Sequence, residues 1–125
     1  ALPLYELVST PGCFYEGQWE RGKPHGKGKV YATNGIYFEG EFDQGMASGP
    51  DGLLVYPDGS NYRGGFANNC FEGKGKFTYL FNNTSYEGDW KGDLPEGEGM
   101  ETFPDGSYYK GKFQKGKKHG KGEYL

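Results

Sequence analysis

Aromatic, polar and glycine positions follow one figure along this chain: an aromatic, a variable residue, Gly, a variable residue, and a second aromatic. It occurs at Tyr15 to Trp19 (YEGQW), Phe38 to Phe42 (FEGEF), Tyr62 to Phe66 (YRGGF), Tyr86 to Trp90 (YEGDW) and Tyr109 to Phe113 (YKGKF), with a period of 23 to 24 residues. In extended backbone successive side chains point to opposite faces, so each figure puts its two rings and its glycine on one face and its variable residues on the other. The pattern predicts a β-strand at every copy. Three residues after the second ring stands Gly22, Gly45, Asn69, Asp93 or Gly116, types that tolerate left-handed backbone. A glycine pair follows, as Gly26 and Gly28, Gly49 and Gly52, Gly73 and Gly75, Gly97 and Gly99, Gly120 and Gly122. A short β-prone run comes next, such as LLVY ending at Tyr56 or KFTY ending at Tyr79. Turn signals then close the unit at Asn34-Gly35, Pro57-Asp58-Gly59, Asn82-Asn83 and Pro104-Asp105-Gly106.

Each unit reads as two short strands joined by a glycine-rich turn and linked to the next hairpin by a tight turn. The predicted architecture is all-β, an elongated antiparallel solenoid of stacked hairpins in a single sheet. Its units are residues 15–37, 38–61, 62–85, 86–108 and a truncated 109–125, preceded by the second strand and turn of an incomplete unit in residues 1–14. Since both ends break inside a unit, the chain reads as a segment of a longer array. Ring positions of successive units are expected to stack along one side of the sheet, with the glycine between each pair leaving room for a ring to lie over backbone.

Composition agrees with this reading. The chain has 24 glycines in 125 residues but also 22 aromatics, of which 20 are Tyr or Phe. Disordered chains are poor in rings, collagen needs glycine at every third residue, and a membrane helix needs about 18 consecutive apolar residues, so none of those classes fits. The net charge of -3 gives no global attraction to nucleic acid. Charge is unevenly placed, however: six lysines against Glu123 give residues 109 to 125 a balance of +5, which leaves -8 on residues 1 to 108.

The motifs YEGQW with GKPHGKGKV, and YEGDW with GEGMETFPDGSYY, resemble the MORN (membrane occupation and recognition nexus) repeat, and the resemblance covers nearly the whole chain. It implies a twisted single-sheet solenoid and scaffold or adaptor work, as in ciliary spoke heads, membrane-contact proteins, cytoskeletal rings, and the regulatory region of a methyltransferase. Four positions depart from the pattern. Unit three has Arg63 and Gly65 where acids are usual, unit four has Glu101 where an apolar residue belongs, and Ala32 is small where a ring is usual.

Catalytic chemistry finds little support in the spacing. Gly17 with Gly22-Lys23, and Gly111 with Gly116-Lys117, have the gap of a phosphate loop, but Pro24 and Lys118 follow where Ser or Thr must hold magnesium. His25 and His119 fall at one turn position of the first and fifth units, roughly 38 Å apart on strands spaced about 4.8 Å, too far to share a metal or an active site. Cys13 and Cys70 should stand about 20 Å apart, beyond the reach of a disulfide, which favours a reducing compartment. The carboxylate pairs Glu39 with Glu41 and Glu87 with Asp89 alternate with the rings and read as a solvated face. No enzyme activity, cofactor or metal is expected.

Two features are candidates for binding. The first is the stripe of Tyr15, Trp19, Phe38, Phe42, Tyr62, Phe66, Tyr86, Trp90, Tyr109 and Phe113, expected to form a groove for an extended or helical segment of a partner protein. The second is the lysine tip, Lys110, Lys112, Lys115, Lys117, Lys118 and Lys121, expected to meet an acidic partner or an anionic, phosphoinositide-bearing membrane surface. The expected role is a noncatalytic interaction scaffold, cytoplasmic and associated with the cytoskeleton or a ciliary axoneme. Membrane tethering through the lysines, and a regulatory region of a larger enzyme, are the alternatives. Unpaired end strands leave end-to-end homodimers open.

Overall fold

A computed structural model of the chain describes residues 12–80 and 82–125. They form ten strands: β1 (Phe14–Glu20), β2 (Lys23–Tyr31), β3 (Tyr37–Asp43), β4 (Met46–Val55), β5 (Asn61–Ala67), β6 (Cys70–Tyr79), β7 (Thr84–Lys91), β8 (Leu94–Thr102), β9 (Tyr108–Gln114) and β10 (Lys117–Tyr124). All lie in one antiparallel sheet in sequence order, with no helix among the described residues. This is the hairpin array that the ring and glycine periodicity predicts. Most of the incomplete unit assigned to residues 1–14 lies outside the described residues.

Two kinds of turn build the array. Inside each hairpin the two loop residues both have positive φ: Arg21 and Gly22 (53° and 77°), Gln44 and Gly45, Asn68 and Asn69, Gly92 and Asp93, Lys115 and Gly116. Their sense of twist matches that of the flanking strands, which is why such loops close hairpins. Between hairpins an Asx turn recurs. The carboxylate of Asp58 accepts the Ser60 N–H at 2.9 Å and that of Asp105 the Ser107 N–H at 2.9 Å, while Asn34 and Asn82 do the same for Ile36 and Thr84.

Glycine marks one level of every strand. The pairs Gly17 with Gly28, Gly28 with Gly40, Gly52 with Gly64, and on through Gly75, Gly88, Gly99 and Gly111 to Gly122 face one another across the ladder. The first ring of each figure lies flat over this row. A Cβ at Gly75 would run into the ring and hydroxyl of Tyr62, and one at Gly52 would come within 2.7 Å of the Phe66 ring. Glycine is thus required by close approach, and it lets a sheet without a second layer bury its own aromatic groups. The tyrosine hydroxyls then reach the backbone three residues on: Tyr15 donates to the Gln18 carbonyl at 2.6 Å, Tyr62 to Gly65 at 2.8 Å and Tyr86 to Asp89 at 2.8 Å.

Rings continue the packing along the array. Within a strand the two rings meet edge to face, as in Tyr62 with Phe66 at 5.2 Å and 89°. The first ring of each unit also meets the second ring of the next: Tyr15 with Phe42, Phe38 with Phe66, Tyr62 with Trp90, and Tyr86 with Phe113 at 4.8 Å. Each such contact contributes about 0.5–1.5 kcal/mol beyond the area it buries. A single cluster from Val30 to Phe113 is the result.

Candidate interaction surfaces

The ladder assigns every side chain to a face. One row reads Tyr15, Val30, Phe38, Leu54, Tyr62, Phe77, Tyr86, Glu101, Tyr109, Tyr124 across the ten strands. The ten rings expected to line a partner groove do share this face, but eight of them, from Phe38 to Phe113, are only 0–6% exposed. Their faces and edges are engaged by one another, so the expectation that they meet a partner directly is corrected for these eight. Tyr15 is half-buried, and Trp19 alone is open, at 55%. The reason is positional: the second rings of the later units are each covered by the first ring of the unit before, and Trp19 has no such neighbour among the described residues.

The one charge in the apolar row has its own partner. Glu101 is paired with Lys118 at 3.0 Å, and the Lys118 ammonium sits 5.4 Å from the centre of the Phe103 ring and 5.5 Å from that of Tyr109. Lys118 therefore lies on the ring side of the sheet while remaining exposed, and the other five lysines of the tip make no such pair with the stripe. Glu101 was visible in the sequence as a departure; the residue answering it, 17 positions away in the next unit, was not.

The opposite face carries a ladder of charge. Its central row reads Glu16, Lys29, Glu39, Leu53, Arg63, Lys76, Glu87, Met100, Lys110, Glu123. Over β1 to β5 this face forms an open groove of about 590 Å³, floored by the backbone of Gly17, Gly28 and Gly40 and walled by Glu16, Lys27, Lys29, Glu39, Glu41, Asp51, Leu53 and Arg63. Two ion pairs order the walls: Arg63 forks onto Asp51 at 3.1 and 3.4 Å, and Lys29 stands 4.0 Å from Glu39. The Glu41 carboxylate folds over Gly49, where the strand bulges. Beside the groove runs a row of rings, Phe14, Tyr31 and Tyr37, with centroids 6.0 and 5.1 Å apart. Phe14 and Tyr31 are exposed at 56% and 42%. Tyr37 donates to Glu39 at 3.2 Å, and desolvation together with that carboxylate pushes its hydroxyl up to about 12.

The groove was missed because its charged residues look in sequence like an ordinary solvated face. Their alternation with the rings placed them on one side, but the depth between β1 and β5 arises from the bulges. The largest shift is in the second hairpin, where a step of five residues along β4, from Leu53 back to Ser48, answers a step of two along β3, from Glu39 to Glu41.

The sequence profile of the MORN repeat matches the chain five times, at residues 15–37, 38–61, 62–79, 86–108 and 109–125. The chain belongs to the MORN repeat family. MORN repeats generally serve as modules of protein or membrane interaction. No curated protein matches the chain closely. In this MORN array the repeat's aromatic figure is the packing core, while the variable residues between its rings supply the face that solvent meets.

Proposed function

We propose that this MORN array is a noncatalytic interaction module that holds a segment of a partner protein in the groove across β1 to β5. The observation that carries the reading is the groove itself: a 590 Å³ concavity with three cations and four carboxylates in its walls, bordered by exposed rings. An extended segment with alternating charge and one aromatic side chain fits that chemistry, since the walls supply opposite charges and the Phe14–Tyr31 edge an apolar seat. The aromatic stripe lies on the opposite face of the same strands, its first rings packed over the glycine row that floors the groove. A cytoplasmic setting within a cytoskeletal or ciliary assembly suits a scaffold of this form.

Selection from a random peptide library tests the proposal. Peptides retained by the wild-type chain should lose binding to a Lys27→Glu/Arg63→Glu variant whose thermal stability is unchanged. Peptides that bind both proteins equally place the interaction elsewhere. A second reading, membrane tethering, is favoured by the exposure of Lys110, Lys112, Lys115, Lys117 and Lys121 at one end of the sheet. Sedimentation with phosphoinositide vesicles should then fall off on Lys115→Glu/Lys117→Glu substitution and with added salt.

A further inference from the structure

The residue just before the second ring of each figure is Gln18, Glu41, Gly65, Asp89 or Lys112. In the first and fourth hairpins its side chain has one task. It folds over a glycine of positive φ on the facing strand, Gly26 or Gly97, and accepts the next backbone N–H. Gln18 Oε1 takes the N–H of Lys27 at 3.1 Å, and Asp89 Oδ2 takes that of Glu98 at 3.1 Å. Asp89 also receives the ammonium of Lys74, which stands opposite it on β6. That bond is the main reason its carboxyl lies below the ordinary carboxylate range.

Glu41 holds the same place and has neither donor. Its carboxylate lies over Gly49, whose φ is 93°, but the next residue is Pro50, which has no N–H to give. Lys27 stands opposite Glu41 on β2 as Lys74 stands opposite Asp89, yet among the described residues the two make no ion pair. Glu41 and Pro50 both line the groove across β1 to β5. In that groove Arg63 is held by Asp51 and Lys29 stands beside Glu39, so the unpaired charges are the carboxylates of Glu16 and Glu41 against the ammonium of Lys27. The balance left for an occupant is acidic.

We propose that Glu41 is the specificity-determining residue of the groove, and that it selects a partner segment bearing an arginine. The guanidinium takes the carboxylate oxygens that Pro50 leaves unbonded. This inference rests on the reading of the groove as a partner site and names what that site recognises. A guanidinium fits better than an ammonium, because its planar fork gives a carboxylate two parallel N–H···O bonds, the geometry that Arg63 and Asp51 already adopt in the same groove. No internal hydrogen bond of Glu41 has to break when the arginine arrives, so the site is preorganised for a charged donor.

The probes are peptides that the wild-type chain retains from a random library, each compared with forms in which arginine is replaced by alanine or by lysine. Retained peptides should carry an arginine at one fixed position and lose about tenfold in affinity with alanine there and about threefold with lysine. Glu41→Gln keeps the shape and removes the charge, and it should weaken the original peptides about tenfold while leaving the alanine forms unaffected. Pro50→Ala supplies an N–H where Lys27 and Glu98 have theirs. The Glu41 carboxylate should turn to it, so that the new amide exchanges slowly with solvent and the peptides bind about fivefold more weakly with no charge altered. In the Glu41→Gln background Pro50→Ala should cost nothing more, whereas a proline that only shapes the groove would weaken binding in both backgrounds.

Retained peptides without a fixed arginine, unchanged affinity for Glu41→Gln, or an equal cost of Pro50→Ala in both backgrounds overturns the proposal. Where Lys27→Glu/Arg63→Glu still abolishes binding alongside those results, the groove stands and Glu41 is not its selector. Peptides indifferent to Lys27→Glu/Arg63→Glu, or a chain that retains no peptide, overturn the groove reading and this inference with it.

Discussion

Asn69 and Ala47 exchange two hydrogen bonds across neighbouring hairpins: the Asn69 N–H donates to the Ala47 carbonyl at 3.1 Å, and the Ala47 N–H donates to Asn69 Oδ1 at 2.7 Å. Asp93 and Phe71 repeat the exchange at 3.1 and 2.7 Å. At the other two interfaces the residue in the place of Ala47 is Pro24 or Pro95, which has no N–H, and the residue in the place of Asn69 is Gly45 or Gly116, which has no side-chain acceptor. Donor and acceptor are present together or absent together, because a buried N–H without a partner costs more than a bond never offered.

This relationship predicts strong non-additivity. Asn69→Gly alone should cost about 1–3 kcal/mol by stranding the Ala47 amide, and Ala47→Pro alone should also destabilise by leaving the Asn69 carboxamide without its donor. The double variant recreates the Pro24 and Gly45 arrangement and should be markedly more stable than the sum of the two losses implies. A denaturant-unfolding cycle on the four proteins measures the coupling, and simple additivity would show that the two positions are not linked.

Glu101 and Lys118 make a second coupled pair. About a third of each side chain remains in solvent, so the ion pair is worth no more than about 1 kcal/mol. Lys118→Ala should nevertheless destabilise, because it leaves the Glu101 carboxylate in a row of rings. Glu101→Leu with Lys118→Ala restores the apolar pattern of the Leu54 level and should match or exceed the wild type. Raising the salt concentration should weaken the wild type relative to this double variant, and thermal unfolding at two ionic strengths is the check.

Alkaline pH should unfold the array in a defined window. Burial raises the Tyr86 hydroxyl from its ordinary 10.0 to about 12, helped by the Asp89 charge, and raises Tyr56 to about 12 and Tyr62 further still. A raised value means that the folded state holds the proton more tightly than the unfolded chain. The stability is therefore complete below pH about 10 and is lost as the pH climbs through the folded values near 12. Unfolding midpoints followed with tyrosinate absorbance should fall together across that range, and Tyr62→Phe should shrink the fall. A stability independent of pH up to about 12 would contradict the burial of these hydroxyls.

Period and phase in the sequence determined the strands, their order and the face of every ring, because alternation in an extended chain leaves only one way to put Tyr62 and Phe66 on the same side. The turn residues were legible for a similar local reason: Arg21-Gly22 and Asp58-Gly59 act within a few residues of themselves. What each surface is used for was decided by the tertiary structure. Whether a ring is free or spent depends on the neighbour that lies over it 20 or more residues away, so Trp19 and Trp90 occupy the same place in the repeat yet differ from 55% to 6% in exposure. The groove on the charged face, the capture of Lys118 by Glu101, and the exchange between Asn69 and Ala47 are likewise contacts between units. Composition can permit such contacts, but only the register of one hairpin on the next brings the partners within reach.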